Sequence, residues 1–222
     1  MQLKDIQHKI PEALFNILKA EGIDELRPSQ EKAIKKGLLE GKNILVCTPT
    51  ASGKTMIAEL AGLKAVLEQH RKMVYIVPLK ALGSEKFREF KRKYGAVANV
   101  ALSMGDFDSD DGYLANYDII VVTAEKLDSL LRHHAPWIEY IGVVVVDEVH
   151  LLNDPSRGPT LEILLTLLKE RRGQILALSA TIGNPQELAE WLKAELVEDS
   201  WRPVKLKEGV YYNGKIRFKE KE

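Results

Sequence analysis

The stretch Thr48-Pro49-Thr50-Ala51-Ser52-Gly53-Lys54-Thr55 decides the fold of this chain. It follows an apolar run at residues 43–47 and precedes a helical pattern at residues 56–70. A strand, a tight loop with Gly-Lys-Thr and a helix form the context in which a phosphate-binding loop is expected. The alternative is an ordinary strand-to-helix turn, because the general pattern begins with glycine and this chain has Thr48 there.

The chemistry of this loop fits a nucleoside triphosphate bound with Mg²⁺. Backbone N–H groups and the positive end of the following helix point at phosphates in such loops. We expect Lys54 to reach the β- and γ-phosphates as a point charge, and the Thr55 hydroxyl to complete the Mg²⁺ shell. The residues predicted to bind the triphosphate are Thr50, Ala51, Ser52, Gly53, Lys54 and Thr55.

A second signal is the run Val143-Val144-Val145-Val146-Asp147-Glu148-Val149-His150. Four β-branched residues indicate a buried parallel strand, and ligands collect at the carboxyl edge of such sheets. Two adjacent acids are costly there without partners, so each is expected to have a task. We expect Asp147 to hold Mg²⁺, directly or through water, and Glu148 to orient the attacking water. A solvated turn is the structural alternative.

A third element, Leu176-Ala177-Leu178-Ser179-Ala180-Thr181, is a predicted strand that ends in two hydroxyl residues. Small hydroxyl residues end many strands, so this segment says little by itself. It gains meaning because it follows the other two motifs in order.

These motifs resemble the first motor domain of superfamily 2 helicases, whose signature includes Gly-Lys-Thr, Asp-Glu-x-His and Ser-Ala-Thr. The similarity extends over nearly all 222 residues. Residues 78–86, 179–185 and 199–204 are similar to archaeal fork-remodelling DNA helicases of the Hjm type. The resemblance implies an ATP- and Mg²⁺-dependent enzyme of fork remodelling and repair that acts on single-stranded or forked DNA. An RNA helicase of the same branch remains an alternative, because RNA-unwinding relatives also carry the Asp-Glu-x-His form of the acidic motif.

The resemblance also implies roles for residues outside these motifs. Pro28 and Gln30 match the segment that reads adenine, and His150 matches a histidine that couples the ATP site to the Ser-Ala-Thr strand. We expect His150 to form a hydrogen bond near Ser179 or Thr181. For Arg157 a plain surface role is the alternative to contact with nucleic acid. The residues implied at a nucleic-acid backbone are Pro78, Leu79, Lys80, Thr123, Glu125 and Arg157.

The order of elements predicts an α/β fold of the RecA-like P-loop type, a mostly parallel sheet with helices on both faces. Strands are predicted at about 43–47, 73–77, 98–102, 118–123, 142–147 and 174–179. Helices are predicted at about 11–20, 28–40, 54–70, 82–94, 124–134, 159–171 and 185–193.

Residues 1–203 are expected to form one ATP-binding helicase domain, whose first 41 residues hold the N-terminal helices and the adenine-reading segment. Residues 204–222 are expected to form a C-terminal β-hairpin, because Asn213-Gly214 between β-rich flanks favours a type I′ turn. The hairpin leads toward a second motor domain, which the resemblance implies and this sequence lacks. Arginines from such a partner contribute on the order of 10³–10⁵ in rate. An isolated nucleotide-binding module with negligible turnover is therefore a second hypothesis.

Composition sets limits on partners and location. The 32 basic and 32 acidic residues balance, so overall charge does not indicate nucleic-acid binding and any basic surface must be local. The single cysteine, Cys47, excludes an internal disulfide framework and is predicted to be a buried thiol. No apolar stretch reaches the roughly 18 residues of a membrane helix, so we expect no membrane contact and a cytoplasmic location.

Overall fold

The computed structural model describes residues 1–105, 111–204 and 209–218. Its α-helices are α1 (Glu12–Ala20), α2 (Pro28–Lys35), α3 (Lys54–Gln69), α4 (Lys80–Tyr94), α5 (Ala124–Arg132), α6 (Gly158–Lys169) and α7 (Pro185–Leu192). Its strands are β1 (Ile44–Cys47), β2 (Lys72–Val77), β3 (Val100–Ser103), β4 (Ile119–Thr123), β5 (Ile141–Val146), β6 (Gln174–Ser179), β7 (Glu195–Glu198), β8 (Gly209–Tyr212) and β9 (Lys215–Phe218). Short 3-10 helices span Leu3–Lys9, Leu38–Glu40, Gly112–Asn116, Pro136–Tyr140 and Val149–Asn153.

Strands β1 to β7 form one seven-stranded sheet in the order β3-β4-β2-β5-β6-β1-β7. Every pairing in this sheet is parallel. The central strands are buried on both faces, as expected where helices cover both sides. The predicted parallel α/β fold is confirmed, and all described carboxyl ends lie along one edge.

The core is divided between the two faces of the sheet. On β1, Ile44 and Val46 join the face covered by α1 to α4, whereas Leu45 joins the face covered by α5 to α7. On β5, Val143 and Val145 likewise belong to the first face. This alternation follows from the two-residue period of a strand, and it fixes which side chains can meet beyond the strand ends.

One predicted boundary was wrong, and one strand was not predicted. The helix predicted at 28–40 ends at Lys35, because Gly37 and Gly41 adopt the left-handed conformation, with φ of 98° and 84°. Strand β7 was not predicted. It pairs with β1 at the sheet edge, and its short Glu-Leu-Val-Glu sequence lacks the apolar run of the buried strands.

The predicted C-terminal hairpin is confirmed within the described residues. Strands β8 and β9 pair antiparallel, and Asn213 and Gly214 both have positive φ, 49° and 73°, as a type I′ turn requires. The two strands form a separate sheet and are exposed along their length. Residues 205–208 and 219–222 of the predicted 204–222 segment lie outside the described residues. Within the described ranges, no helix is both long and apolar enough to cross a membrane.

Candidate functional site

The predicted functional residues follow the ends of parallel strands and so meet at one edge of the sheet. Thr48 follows β1, Pro78 follows β2 and Asp147 follows β5. Thr123 is the last residue of β4, and Ser179 is the last residue of β6.

Thr48 explains how this loop manages without the usual first glycine. Its side chain is fully buried, and its hydroxyl lies 2.7 Å from the hydroxyl of Ser52, which is 1% exposed. The Thr48 N–H donates to the carbonyl of Ser179 at 3.2 Å. The hydroxyl pair closes the loop across its base, and the backbone bond ties the loop to β6.

Gly53 is required by both backbone and space. Its φ is 92°, and a Cβ at this position would lie 2.6 Å from Gln30 Nε2. Ala51 also has positive φ, 64°, which costs on the order of 1 kcal/mol or more for a residue with a Cβ. Strain of this kind is retained where the surrounding structure and function demand the conformation.

Gln30 supports the loop from below. Its Nε2 donates to the Gly53 carbonyl at 3.0 Å, and its Oε1 accepts from the Arg27 N–H at 2.8 Å. The residue is only 2% exposed, and Pro28 opens the same helix, α2. Adenine reading by Pro28 and Gln30 stays a prediction, whereas the loop-supporting contact of Gln30 was not foreseen.

Lys54 is the first residue of α3, and Thr55 is the second. The Lys54 Nζ turns back over the loop and donates to the Thr48 carbonyl at 2.9 Å and to the Pro49 carbonyl at 3.4 Å. Burial lowers the pKa of Lys54, and the nearby Glu148 and Asp147 carboxylates oppose that shift. An ammonium held near loop carbonyls is well placed to exchange them for phosphate oxygens.

Asp147 is held by three hydrogen bonds. Its Oδ2 accepts from the Tyr75 hydroxyl at 2.8 Å, and its Oδ1 accepts from the Glu148 N–H at 3.0 Å. Its own N–H donates to the Ile76 carbonyl at 3.0 Å. Sequence reasoning missed Tyr75. The available signal was a tyrosine inside a buried strand, whose hydroxyl needs a partner.

Glu148 and His150 place polar atoms in a buried setting. The Glu148 backbone has a positive φ of 53°, and its Oε2 lies 3.2 Å from His150 Nδ1. This is an ion-pair distance when His150 is protonated, but the two atoms are not aligned as a hydrogen bond. Among the described residues, both atoms and Ser179 Oγ are buried without a hydrogen-bond partner. Such atoms are rare in folded proteins and call for an explanation such as a ligand or a catalytic role.

The expected contact of His150 with the Ser-Ala-Thr strand is not direct. No hydrogen bond joins His150 to Ser179 or Thr181 within the described ranges, and Thr181 is exposed. Coupling between these residues stays a prediction that needs an intervening group.

The residues present fit Mg²⁺ bound together with a nucleotide. The described residues contain no group of three or more His, Cys, Asp or Glu side chains that could hold a metal by themselves. Mg²⁺ usually takes one or two carboxylates and completes its shell with water and substrate phosphates. Asp147 accepts a hydrogen bond from the Tyr75 hydroxyl, and the Thr55 side chain lies near the same hydroxyl, so these two oxygen donors are close to one phenol.

The residues predicted at nucleic acid differ in exposure. Leu79 is 44% exposed, and Lys80 and Glu125 are exposed beside it at helix starts. Thr123 is buried, and its hydroxyl caps α5 by accepting from the Lys126 N–H at 3.4 Å. The Thr123 side chain therefore has a structural role in addition to any contact with a strand.

A small cavity of about 20 Å³ links the two groups of residues. Asp147, Pro78, Glu125 and Arg157 all line it. Arg157, which lies in the loop before α6, is thereby brought next to the acidic motif. The cavity places three of the predicted nucleic-acid residues, Pro78, Glu125 and Arg157, beside Asp147.

Arg27 is a second residue that sequence reasoning missed. Its Nη1 donates to the Ala51 carbonyl at 2.8 Å, and its guanidinium lies 5.4 Å from the centre of the Trp201 ring. Arg27 therefore connects the late segment around Trp201 to the phosphate loop, and the Lys32–Asp199 ion pair at 2.8 Å ties the same segment to α2.

Fold and site together define a RecA-like P-loop domain with a phosphate loop, an acid pair and exposed segments at one sheet edge. The sequence model of the DEAD/DEAH box helicase family matches residues 27–188. The chain belongs to this family.

Archaeal relatives make the likeness more specific. The chain is 57% identical over 212 residues to "ATP-dependent DNA helicase Hel308" of Methanocaldococcus jannaschii, covering 92% of this chain and 18% of that protein. It is 53% identical over 211 residues to the protein of the same description from Pyrococcus abyssi, covering 95% and 29%. This chain spans between 18% and 30% of the length of such relatives. The predicted resemblance to archaeal DNA helicases is confirmed.

Two solved helicase structures are similar to this chain in fold. The DUF1998 helicase MrfA bound to DNA matches with a TM-score of 0.75 and 27% identity, over 86% of this chain and 30% of that one. MrfA bound to DNA and AMPPNP matches with a TM-score of 0.75 and 28% identity, over 86% and 29%.

Proposed function

We propose that this chain is the first motor domain of an ATP-dependent DNA helicase that remodels and repairs replication forks. The observation that carries the proposal is the meeting of the phosphate loop with the Asp147–Glu148 pair at one sheet edge. The 57% identity to an archaeal DNA helicase supports DNA as the nucleic acid.

In this proposal the loop at residues 48–55 binds the triphosphate. Lys54 leaves the loop carbonyls for the β- and γ-phosphates, and the N–H groups at the start of α3 face the same anion. Thr55 and Asp147 hold Mg²⁺, which when bound neutralises charge on the phosphates. Pro28 and Gln30 recognise adenine, and Gln30 then exchanges its contact with the Gly53 carbonyl or the Arg27 N–H for one with the base.

Glu148 orients the attacking water for in-line displacement. Its Oε2 is buried and accepts no hydrogen bond among the described residues, although it lies 3.2 Å from His150 Nδ1, so it keeps acceptor capacity for a water donor. His150 and the Ser179–Thr181 segment couple this site to the neighbouring strand through an intervening group.

Residues at the ends of β2 and β4 hold one nucleic-acid strand by its backbone without reading bases. The exposure of Leu79, Lys80 and Glu125 supports this, and Arg157 extends the surface toward the ATP site. The balanced net charge agrees with a local contact that further domains strengthen. In particular, a second motor domain supplies the arginines that complete the ATP site.

The test is to measure Mg²⁺-ATP binding and turnover by the 222-residue chain, with and without single-stranded DNA. We expect binding with negligible turnover, and DNA-stimulated turnover once a second motor domain is present. Absence of ATP binding would overturn the proposal. DNA-stimulated turnover by the 222-residue chain alone would overturn the need for a second domain. Stronger stimulation of the two-domain protein by RNA of the same sequence would assign it to RNA.

A further inference from the structure

Tyr75 lies at the centre of β2 and is fully buried. Its ring packs edge-on against Phe90, with centroids 5.3 Å apart, and the Lys86 ammonium lies 5.6 Å from its centre. A ring fixed from two sides holds its hydroxyl at one point in space. No role was assigned to this residue from its sequence pattern.

The Tyr75 hydroxyl is directed at a carboxylate. It donates to Asp147 Oδ2 at 2.8 Å. The other oxygen of the same carboxylate, Oδ1, accepts from the Glu148 N–H at 3.0 Å.

The strand register explains why these groups meet. Tyr75 pairs with Val145 on the adjacent parallel strand β5, and both belong to the same face of the core. Asp147 follows two residues after Val145 and therefore continues on that face. The phenol is long enough to reach past the end of its own strand to the carboxylate.

We infer that Tyr75 is a positioning residue for the metal-binding carboxylate: its hydroxyl fixes the orientation of Asp147 before magnesium and nucleotide arrive. The inference rests on the proposed function, since it takes Asp147 and Thr55 to be the Mg²⁺ donors. Groups that orient a ligating carboxylate typically contribute about 10- to 100-fold in metal affinity.

The test uses the 222-residue chain, a fluorescent non-hydrolysable ATP analogue and a titration with Mg²⁺. For Tyr75→Phe we expect the Mg²⁺ concentration at half-maximal binding to rise about 10- to 100-fold. Binding of the analogue in excess EDTA should stay within about twofold of the unsubstituted chain. A merely structural role would weaken both measurements together.

Tyr94→Phe is the matched control. Tyr94 is also fully buried and belongs to the same aromatic stack, with its ring 6.1 Å from that of Phe90. Its hydroxyl is buried and has no hydrogen-bond partner among the described residues. Losing this oxygen should leave the Mg²⁺ titration unchanged.

A second measurement tests whether Tyr75 acts through Asp147. In an Asp147→Asn background, adding Tyr75→Phe should cause no further shift in the Mg²⁺ titration. An additive shift, an unchanged titration in the single variant, or an equal shift in Tyr94→Phe would each overturn the inference. Failure of the proposed function looks different: Lys54→Ala would then bind the analogue as well as the unsubstituted chain does.

Discussion

Two regions of the same sheet edge are constructed differently: the nucleotide half, around the phosphate loop proposed to bind ATP, and the strand half, at the ends of β2 and β4, which is proposed to hold a nucleic-acid strand. In the nucleotide half, Thr48, Ser52 and Gln30 are 2% exposed or less and bond to one another or to the loop backbone. In the strand half, Leu79 is 44% exposed, and Lys80 and Glu125 project from helix starts. A small polar ligand needs an arranged pocket, whereas a polymer needs an open surface.

This difference has a consequence for experiments. Preorganised donors act without further reorganisation, so nucleotide binding by this half should be measurable in the 222-residue chain. An open strand surface depends on electrostatic contacts that salt weakens. The two halves should therefore respond separately to substitution.

The largest expected effect is on hydrolysis. Glu148→Gln should reduce ATP turnover about 10²- to 10⁴-fold, because a neutral amide orients and polarises the attacking water far less strongly than a carboxylate does. ATP affinity should change less than about threefold, since the amide keeps the volume of the acid. Turnover is measured in a protein that contains the second motor domain, and affinity in the 222-residue chain. Loss of affinity instead would assign Glu148 a structural role.

The next effect separates the two halves. Lys54→Ala should weaken ATP binding by about 2–5 kcal/mol, or roughly 30-fold and more, because the phosphate charge loses its buried partner. Lys80→Ala should leave ATP affinity unchanged. For single-stranded DNA, it should make the slope of log binding constant against log salt concentration shallower by about 0.7. Equilibrium titrations at several salt concentrations measure both.

The comparison fails if Lys80→Ala weakens ATP binding as much as Lys54→Ala does. It also fails if Lys54→Ala alone removes DNA binding in the absence of nucleotide. Either result would mean that the two halves are one energetic unit.

Much of this arrangement was predictable because its signals are local. The loop at residues 48–55 and the Asp147–Glu148 pair each follow an apolar run, and parallel sheets bring such ends together. Strand β7 escaped because a short edge strand with glutamates at both ends has no buried pattern. Helix α2 ends early because Gly37 adopts the left-handed conformation. The helical sequence pattern at 28–40 does not indicate this conformation.

The contacts inside the site were less predictable because they join distant positions. Tyr75 and Asp147 are 72 residues apart, and their meeting depends on the register of β2 against β5. The hydrogen bond from Gln30 Nε2 to the Gly53 carbonyl likewise requires α2 to pack under the loop. Sequence patterns identify the functional side chains more readily than the residues that hold them.

A smaller effect concerns the unusual first position of the loop. Thr48→Val should destabilise the chain by about 1–3 kcal/mol, because the hydroxyl of buried Ser52 loses its partner. Thr50→Val is the matched control: Thr50 is exposed, so its substitution should change stability little. Chemical denaturation of the 222-residue chain measures both. Equal effects would show that the Thr48–Ser52 pair does not stabilise the loop.

The smallest expected effect tests whether the base of the phosphate loop, at Cys47, is closed to solvent. Cys47 is 3% exposed at the end of β1, and burial, followed by the Glu198 charge, raises the pKa of its thiol to about 11 from a usual 9.0. The fold favours the neutral thiol, so this contribution to stability is constant below about pH 9 and is lost as pH rises toward 11. Thermal midpoints of wild type and Cys47→Ala should therefore converge between pH 8 and pH 10.5.

At pH 8 the folded chain should react with a thiol reagent only slowly, because little thiolate is present. Rapid labelling of the folded chain at pH 8 would show that the base of the loop opens to solvent, and the nucleotide half would then resemble the strand half.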